Sequence, residues 1–183
     1  YAALTETAVT GLAGGGFVVT WGNDNIAARI FEDDGTPVGE QFQINTVATR
    51  YQEESSVTAL ADGGFVVTWH SDDGIDDTSS RGVKARVFAA DGSPAGDEFL
   101  VNNRTGSSQE EPAVTALAGG GFVVVWSSRD AQNDRHGTAI QARIFAADGR
   151  PVADEFTVNE EFYRDQNEPS VSALSDALYG DRP

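Results

Sequence analysis

The sequence predicts an all-β protein of the β-propeller type, built from about three four-stranded blades. Three observations lead to this prediction: one segment recurs three times, Asp-Gly and Gly-Gly pairs separate short β-prone runs, and no stretch shows helical periodicity. The chain has 183 residues, of which 39% are hydrophobic and 20 are glycine. This length and composition are typical of a single folded, turn-rich domain.

The repeat is clearest around three tryptophans. The segments GLAGGGFVVTW, ALADGGFVVTW and ALAGGGFVVVW end at Trp21, Trp69 and Trp126, which lie 48 and 57 residues apart. The first interval is shorter because the loop after Trp21 has nine residues fewer than the loops after the other two. The period is therefore 57 residues. The resulting units span about 8–55, 56–112 and 113–169, and an extra first strand follows at 170–174.

Each unit contains four β-prone runs, which in the second unit are 57–60, 65–69, 83–88 and 98–102. Four antiparallel strands with recurring Phe and Trp are typical of a propeller blade, whereas a β-trefoil or β-prism with threefold internal repeats is the alternative. The first strand occurs four times and every other strand three times, which favours the propeller. Propellers generally close with four or more blades, so we expect self-association into a dimer or a higher oligomer.

Acidic residues dominate the charge. Asp and Glu number 29 against 12 Lys and Arg, giving a net charge of −17. This balance excludes nucleic acid as a natural partner, because phosphate binding depends on Lys and Arg, and it disfavours anionic membrane surfaces. No apolar run is long enough for membrane insertion, and the lack of cysteine excludes disulfides and thiolate zinc sites. The attractive small partner is a hard cation such as calcium.

The strings ALADGGFVVTW, ARVFAADGSPAGDEFLVN and QEEPAVTAL resemble the tandem repeats of large secreted bacterial proteins of the RTX and haemolysin-type calcium-binding class. The likeness covers about Ala8 to Leu174. This resemblance implies a bacterial protein that is secreted or displayed at the cell surface, with an adhesin-like role and calcium as the associated ion.

The candidate metal ligands are aspartates in the long loops after the second and third tryptophans. Asp73 aligns with Asp130 and Asp77 with Asp134, so both loops carry two aspartates four residues apart. Two carboxylates, loop carbonyls and water could supply the six to eight oxygens that calcium takes. The first unit lacks this loop and is expected to lack the site. The alternative interpretation is an acidic, solvated loop.

The candidate ligand-binding residues recur once in each unit. They are Trp21, Trp69 and Trp126, then Arg29, Arg86 and Arg143, and finally Glu54, Glu111 and Glu168, which open first strands. The tryptophans suit a core as well as a sugar-stacking platform. The arginines lie among apolar residues of the third strand, so we expect each to pair with a carboxylate such as these glutamates.

No catalytic residue is assigned. His70 and His136 are the only histidines and are placed in the loops after the tryptophans, where neither recurs in another unit. The sequence therefore predicts a non-catalytic, secreted binding or adhesion module, with lectin-like carbohydrate binding as its most concrete form. The alternatives are a fragment of a secreted carbohydrate-active enzyme that uses paired carboxylates, and a structural spacer without a ligand.

Overall fold

The three sequence units fold as three separate antiparallel sheets in a computed structural model. The first sheet contains β1 (Thr5–Gly11), β2 (Phe17–Asn23), β3 (Asn25–Phe31) and β4 (Pro37–Gln43). The second contains β5 (Gln52–Ala59), β6 (Phe65–Ser71), β7 (Gly82–Phe88) and β8 (Phe99–Leu100). The third contains β9 (Gln109–Ala116), β10 (Phe122–Ser128), β11 (Ala139–Phe145) and β12 (Phe156–Thr157). Strands that are consecutive in sequence are neighbours in every sheet.

The structure describes residues 5–48, 51–72, 74–75, 81–129, 137–160 and 165–174. Within these ranges every regular element is a β-strand, which confirms the all-β prediction. In the same part of the chain, no helix has the length and apolar character needed to cross a membrane.

Each sheet begins with a tight hairpin that requires glycine at one position. In the third sheet, the amide of Leu117 donates to the carbonyl oxygen of Gly121 at 3.0 Å. Gly121 has a φ of 77°, and a Cβ added there would overlap the carbonyl oxygen of Phe145. Any side chain at this position is therefore both strained and obstructed. Gly16 has the same conformation and the same close approach in the first sheet.

The turn between the third and fourth strands is fixed by an aspartate in every unit. Asp34, Asp91 and Asp148 each accept a hydrogen bond from the amide two residues later, at 2.8–3.1 Å. An aspartate side chain that bonds its own backbone in this way mimics part of a β-turn. Each of these aspartates begins an Asp-Gly pair of the kind that separates β-prone runs in the sequence, and the structure confirms that these pairs lie in turns.

Two hydrophobic cores lie between the sheets. Between the first and second sheets, Val18, Ile26 and Ile44 pack with Phe65 and Trp69, all fully buried. The corresponding residues of the second and third sheets form the next core: Val66, Val83, Val101, Phe122 and Trp126. The second sheet is thus covered on both faces, while the first and third are each covered on one.

The first strands of the sheets, β1, β5 and β9, form the inner edge of this arrangement. Strand β1 packs against β5, and β5 packs against β9. Residues 165–174 continue the series next to the third sheet, but they form no strand, unlike the extra strand expected at 170–174. A fourth inner strand needs a further sheet to pair with, and the described part of the chain has none.

Candidate functional site

Four glutamates at the starts of the inner segments line one small pocket of about 230 Å³. We call it the glutamate pocket; its lining residues are Glu6, Glu54, Ser55, Glu111, Pro112, Glu168 and Pro169. The glutamates come from four equivalent positions of the repeat. Three of the four, Glu54, Glu111 and Glu168, are residues that the sequence singled out as candidates for ligand binding.

A β-bulge turns Glu6, Glu54 and Glu111 out of their ladders, and Glu168, in a segment that forms no strand, has the same positive φ. The pairing of β1 with β2 and of β5 with β6 shifts register at Glu6 and Glu54, respectively. The glutamates have positive φ values of 43°, 56°, 56° and 53° at Glu6, Glu54, Glu111 and Glu168. Such a backbone is uncommon for a residue other than glycine, and a bulge redirects the side chain that it carries.

Hydrogen bonds between equivalent glutamates join the second sheet to the third and the third sheet to residues 165–174. The amide of Glu111 donates to Oε2 of Glu54 at 2.8 Å, and the amide of Glu168 donates to Oε2 of Glu111 at 2.6 Å. A bulge removes the amide of Glu111 from its ladder, and Glu168 lies in a segment that forms no strand, so in both cases the preceding carboxylate satisfies a backbone donor that has no strand partner. The negative charge of the accepting carboxylate also strengthens each of these hydrogen bonds. The glutamates therefore fix the spacing of the inner segments as well as lining the pocket.

Two further side chains orient these carboxylates. Nδ1 of His70 lies 2.8 Å from Oε2 of Glu54, and Oγ of Ser127 donates to Oε2 of Glu111 at 2.6 Å. His70 and Ser127 occupy equivalent positions in the second and third units. Among the described residues, all bonds to Glu54 and Glu111 use Oε2, so Oε1 of each carboxylate is available to accept from a ligand.

The pocket shifts the pKa values of two glutamates in opposite directions. Partial burial raises the pKa of Glu6, and repulsion by Glu54 and Glu111 adds to the effect. Burial also acts to raise the pKa of Glu54, but the hydrogen bond and charge of His70, with the amide of Glu111, outweigh it and lower the pKa. The pocket therefore combines one carboxyl that holds its proton more tightly with one that holds it less tightly.

Two of the three tryptophans lie in the cores. Trp69 and Trp126 have no exposed surface, and their Nε1 atoms donate to Oε1 of Gln52 and Gln109 at 2.8 Å. Neither ring presents a face on which a sugar could stack. Trp21 is only partly buried, because none of the sheets formed by the described residues packs against its side of the first sheet.

The arginines bind carbonyl groups, and the expected pairing with glutamate was wrong. Nε of Arg86 donates to Gly96 O at 3.1 Å, while Nη1 donates to Ile44 O of the preceding unit at 3.0 Å. Arg143 does the same with Ala153 O and Val101 O. Arg29 keeps the bond within its own sheet, to Gly39 O. Carbonyl oxygens at strand ends satisfy the guanidinium, so no carboxylate is needed.

The placement of His70 in a solvated loop was also wrong. His70 belongs to strand β6, pairs in register with Glu53, and is 1% exposed. Two signals in the sequence bear on this position: FVVTWHS can be read as one seven-residue strand, and the recurring Gln-x-Glu opens the strand opposite it. His136 lies outside the described residues.

The metal candidates Asp73, Asp77, Asp130 and Asp134 also lie outside the described residues. Within the ranges that the structure describes, no group of three or more His, Asp or Glu side chains has the arrangement of a metal site.

A second, apolar pocket lies at the other ends of the inner segments. It measures about 520 Å³ and is lined by Gly11, Leu12, Ala13, Ala59, Leu60, Ala61, Ala116, Leu117, Ala118, Ala173 and Leu174. The two ends of the inner segments thus differ in chemistry, one being acidic and the other aliphatic.

Comparison with known proteins finds similarity of fold only. No family model and no curated protein matches the chain. A thermostable family-43 glycoside hydrolase is 14% identical with a TM-score of 0.52, over 86% of this chain and 55% of that one. This likeness is consistent with a propeller-like, all-β fold.

Two further structures have a TM-score of 0.49. One is a protein of unknown function from Bacteroides caccae, 12% identical over 86% of this chain and 47% of that one. The other is an endo-arabinase from Bacteroides thetaiotaomicron, 15% identical over 83% of this chain and 61% of that one. The chain therefore spans about half to three fifths of the length of these three structures.

Proposed function

We propose that the chain is a non-catalytic carbohydrate-binding module and that the glutamate pocket is its ligand site. The observation that carries this proposal is the convergence of Glu6, Glu54, Glu111 and Glu168, one from each inner segment, on a single pocket. Sugar hydroxyls are hydrogen-bond donors, and ionised carboxylates are acceptors only, so the two are complementary. A ring of fixed acceptors suits a polyhydroxylated ligand.

The size of the pocket limits the ligand. About 230 Å³ is below the roughly 300–1,000 Å³ that is usual for drug-sized ligands. A single sugar ring or the end of a glycan chain is therefore the proposed occupant. The negative potential of the pocket favours neutral or amino sugars over uronic acids, since the four glutamate side chains would repel the carboxylate of a uronic acid.

The likeness in fold to a family-43 glycoside hydrolase supports carbohydrate as the ligand class. The resemblance to repeats of secreted bacterial proteins supports a location outside the cell, with an adhesin-like role. In the same proposal the three sheets are three blades of a β-propeller. This assignment is supported by four consecutive strands in each sheet and by inner strands that adjoin one another.

A second candidate function is glycoside hydrolysis, favoured by the placement of Glu6 and Glu54 in one pocket, where their pKa values shift in opposite directions. Glycosidases use one carboxylic acid as a proton donor and one carboxylate as a base or nucleophile, and their environments separate the two pKa values. In this candidate Glu6 would be the acid and Glu54 the carboxylate. The role of Glu54 in holding the amide of Glu111 favours binding over catalysis.

A glycan-array screen followed by titration calorimetry tests the proposal. We expect a related set of sugars to bind, and Glu54→Gln and Glu111→Gln each to weaken binding by a graded amount without turnover of the sugar. Glu32→Gln, an exposed carboxylate in the β3–β4 turn, is the matched control and should bind normally. Hydrolysis of a bound glycan that a single Glu6→Gln change abolishes would establish the second candidate. An array without any hit would contradict both and leave the spacer role.

A further inference from the structure

The first and third sheets each leave one apolar face uncovered. The face of the first sheet that points away from the second sheet, here the leading face, consists of Val9, Phe17, Val19, Trp21 and Phe31. The face of the third sheet that points away from the second, here the trailing face, consists of Val123, Ile140, Ile144 and Val158.

The leading face repeats a surface that the other two sheets bury. Val9 is 64% exposed, whereas its equivalents Val57 and Val114 are 8% and 7% exposed. Trp21 is partly buried, whereas Trp69 and Trp126 are fully buried. In the second and third units these positions pack against the preceding sheet. The leading face therefore has the side chains of a sheet-to-sheet contact, but the described residues form no sheet that covers it.

The trailing face shows the same relationship in the opposite direction. Val158 is 52% exposed, whereas its equivalents Ile44 and Val101 are fully buried against the following sheet. Ile140 and Ile144 are partly exposed, while their equivalents in the other two sheets are nearly all inaccessible. The trailing face therefore has the side chains of a sheet-to-sheet contact, but no sheet in the described part of the chain covers it.

Polar groups at the margins of the two faces are complementary as well. Arg86 and Arg143 each extend Nη1 to a carbonyl of the preceding unit, Ile44 O and Val101 O. The equivalent donor on the leading face is Arg29, and the equivalent acceptor on the trailing face is Val158 O. A contact between the faces would make this bond a third time, in the same register.

A second bond between units has its equivalents on the open faces too. Glu98 and Glu155 accept from the amides of Thr46 and Asn103 in the preceding unit, both at 2.7 Å. The position equivalent to Glu98 on the leading sheet is Gln41, whose Oε1 can also accept. The equivalent donor is the amide of Glu160. Gln41 thus provides the same kind of acceptor oxygen as Glu98 and Glu155, without adding a negative charge to a strongly acidic chain.

We propose that the leading face of one chain packs on the trailing face of a second copy, and that two such contacts close a two-fold dimer of six sheets. Each copy carries one face of each kind, so the contact is heterologous and can be satisfied completely by ring closure. The apolar area involved is that of an internal contact between sheets, which is the same kind of surface as an obligate interface.

When a second copy docks in this register, its strand β1 takes the place of residues 165–174. The amide of Glu168 bonds to Glu111 just as the amide of Glu111 bonds to Glu54, so this segment holds the place that β1 of the docked copy would take. The segment is the one that leaves, because it pairs with no strand, whereas β1 is paired with β2 from Thr5 to Gly11. Glu6 of the partner then takes the position of Glu168 in the glutamate pocket.

Light scattering coupled to size exclusion measures the mass directly. We expect twice the 19.4 kDa of one chain for the wild type. Val19→Arg places a charge on the leading face and should give a folded monomer. Val38→Arg, on the opposite side of the same sheet and 45% exposed in the monomer, is the matched control and should remain a dimer. A monomeric wild type at the highest attainable concentration would overturn the proposal, as would a Val19→Arg variant that stays dimeric.

Tryptophan fluorescence of the wild-type protein gives a second readout. Trp21 is the partly buried tryptophan, so dilution of the wild type should increase quenching by acrylamide as the dimer dissociates. Trp21→Phe should abolish that change, since Trp69 and Trp126 are buried in either state. Hydrogen exchange at the amides of Gln166 and Glu168 should be faster in the dimer. Quenching independent of concentration, or unchanged exchange at Glu168 in a dimer, would refute this mode of docking.

Discussion

Arg143 Nη1 donates to the carbonyl oxygen of Val101 at 2.8 Å, which ties the third sheet to the end of the second. The same guanidinium bonds Ala153 O within its own sheet and lies 5.4 Å above the ring of Phe145. Arg143 is 8% exposed, so its charge is largely removed from water. One arginine thus joins two units and also makes a cation–π contact with an aromatic ring.

Arg143→Lys should lower the free energy of unfolding by about 1–3 kcal/mol, because an ammonium cannot reach both carbonyls and leaves a buried acceptor without a donor. Urea denaturation of dilute, monomeric protein measures the change. Arg29→Lys is the control: Arg29 makes its bonds to Gly39 O within one sheet and is more exposed, so it should cost clearly less. Equal losses in the two variants would show that the bond to Val101 contributes nothing.

Thr68→Val should stabilise the protein by about 1 kcal/mol. Among the described residues, the fully buried Oγ1 of Thr68 has no hydrogen-bond partner, and the third unit already has valine at the equivalent position, Val125. Thermal or urea unfolding measures the gain. The sequence explains why the hydroxyl of Thr68 has no hydrogen-bond partner among the described residues. The equivalent Thr20 pairs with Ser55 at 3.0 Å, but the next inner strand carries Pro112 where Ser55 stands.

Thr20→Val is the matched control for this prediction. It deletes a buried hydroxyl that does have a partner and leaves Ser55 unsatisfied, so it should destabilise the protein by about 1 kcal/mol. The two changes are chemically identical and differ only in the partner. Loss of stability in both variants would mean that Thr68 has an acceptor in solution.

Glu6→Gln and Glu54→Gln should change stability in opposite directions at neutral pH. The pKa of Glu6 is raised by folding, so its ionised form opposes folding, and its removal should stabilise the protein above the folded-state pKa. The pKa of Glu54 is lowered by folding, so its ionised form favours folding, and its removal should destabilise the protein.

The pH dependence separates these effects from simple loss of contacts. The gain in Glu6→Gln should vanish below about pH 4.3, where the wild-type carboxyl is protonated in both states. The loss in Glu54→Gln should shrink as the pH falls through the folded-state pKa, which lies below the ordinary value. Urea midpoints from about pH 3 to pH 8 measure both curves. A Glu6→Gln variant that is less stable than the wild type at pH 7 would contradict the raised pKa.

The repeat made the fold largely predictable, because each sheet corresponds to one copy of the repeat. The second strand of the second unit, predicted at 65–69, is observed at Phe65–Ser71. The repeat did not show that His70 continues the strand, because a polar residue after Trp69 resembles the start of a loop. Strand β6 extends to Ser71 because Ser71 pairs with Gln52 in β5. This pairing joins residues that are distant in sequence, so the local sequence does not reveal it.

The candidate site was predictable as a set of residues but not as an arrangement. The glutamate three residues before the first-strand valine recurs four times, and this recurrence pointed to Glu54, Glu111 and Glu168. Nothing in the sequence predicts their positive φ, because glutamate seldom adopts that conformation. The hydrogen-bond acceptors of the arginines could not be predicted either. Every residue has a backbone carbonyl, so the sequence does not show that an arginine binds a particular one, such as Val101 O.

Calcium should raise the melting temperature if the long loops bind it as their aspartates predict. Asp73 and Asp77 in one unit, and Asp130 and Asp134 in the next, are the proposed ligands, all outside the described residues. A ligand that binds the folded state alone stabilises it by mass action, so the shift should grow with calcium concentration and disappear with a chelator. Differential scanning calorimetry measures the shift.

The calcium prediction has an internal control, because the first unit lacks the long loop. Asp73→Asn with Asp77→Asn should remove part of the calcium-dependent shift, and the same changes at Asp130 and Asp134 should remove the rest. Asp24→Asn, in the short loop of the first unit, should leave the shift intact. Magnesium should act weakly, because it requires near-ideal octahedral geometry and gives up its water reluctantly. A melting temperature that is the same in calcium and in chelator would refute the assignment and identify both loops as solvated acidic connections.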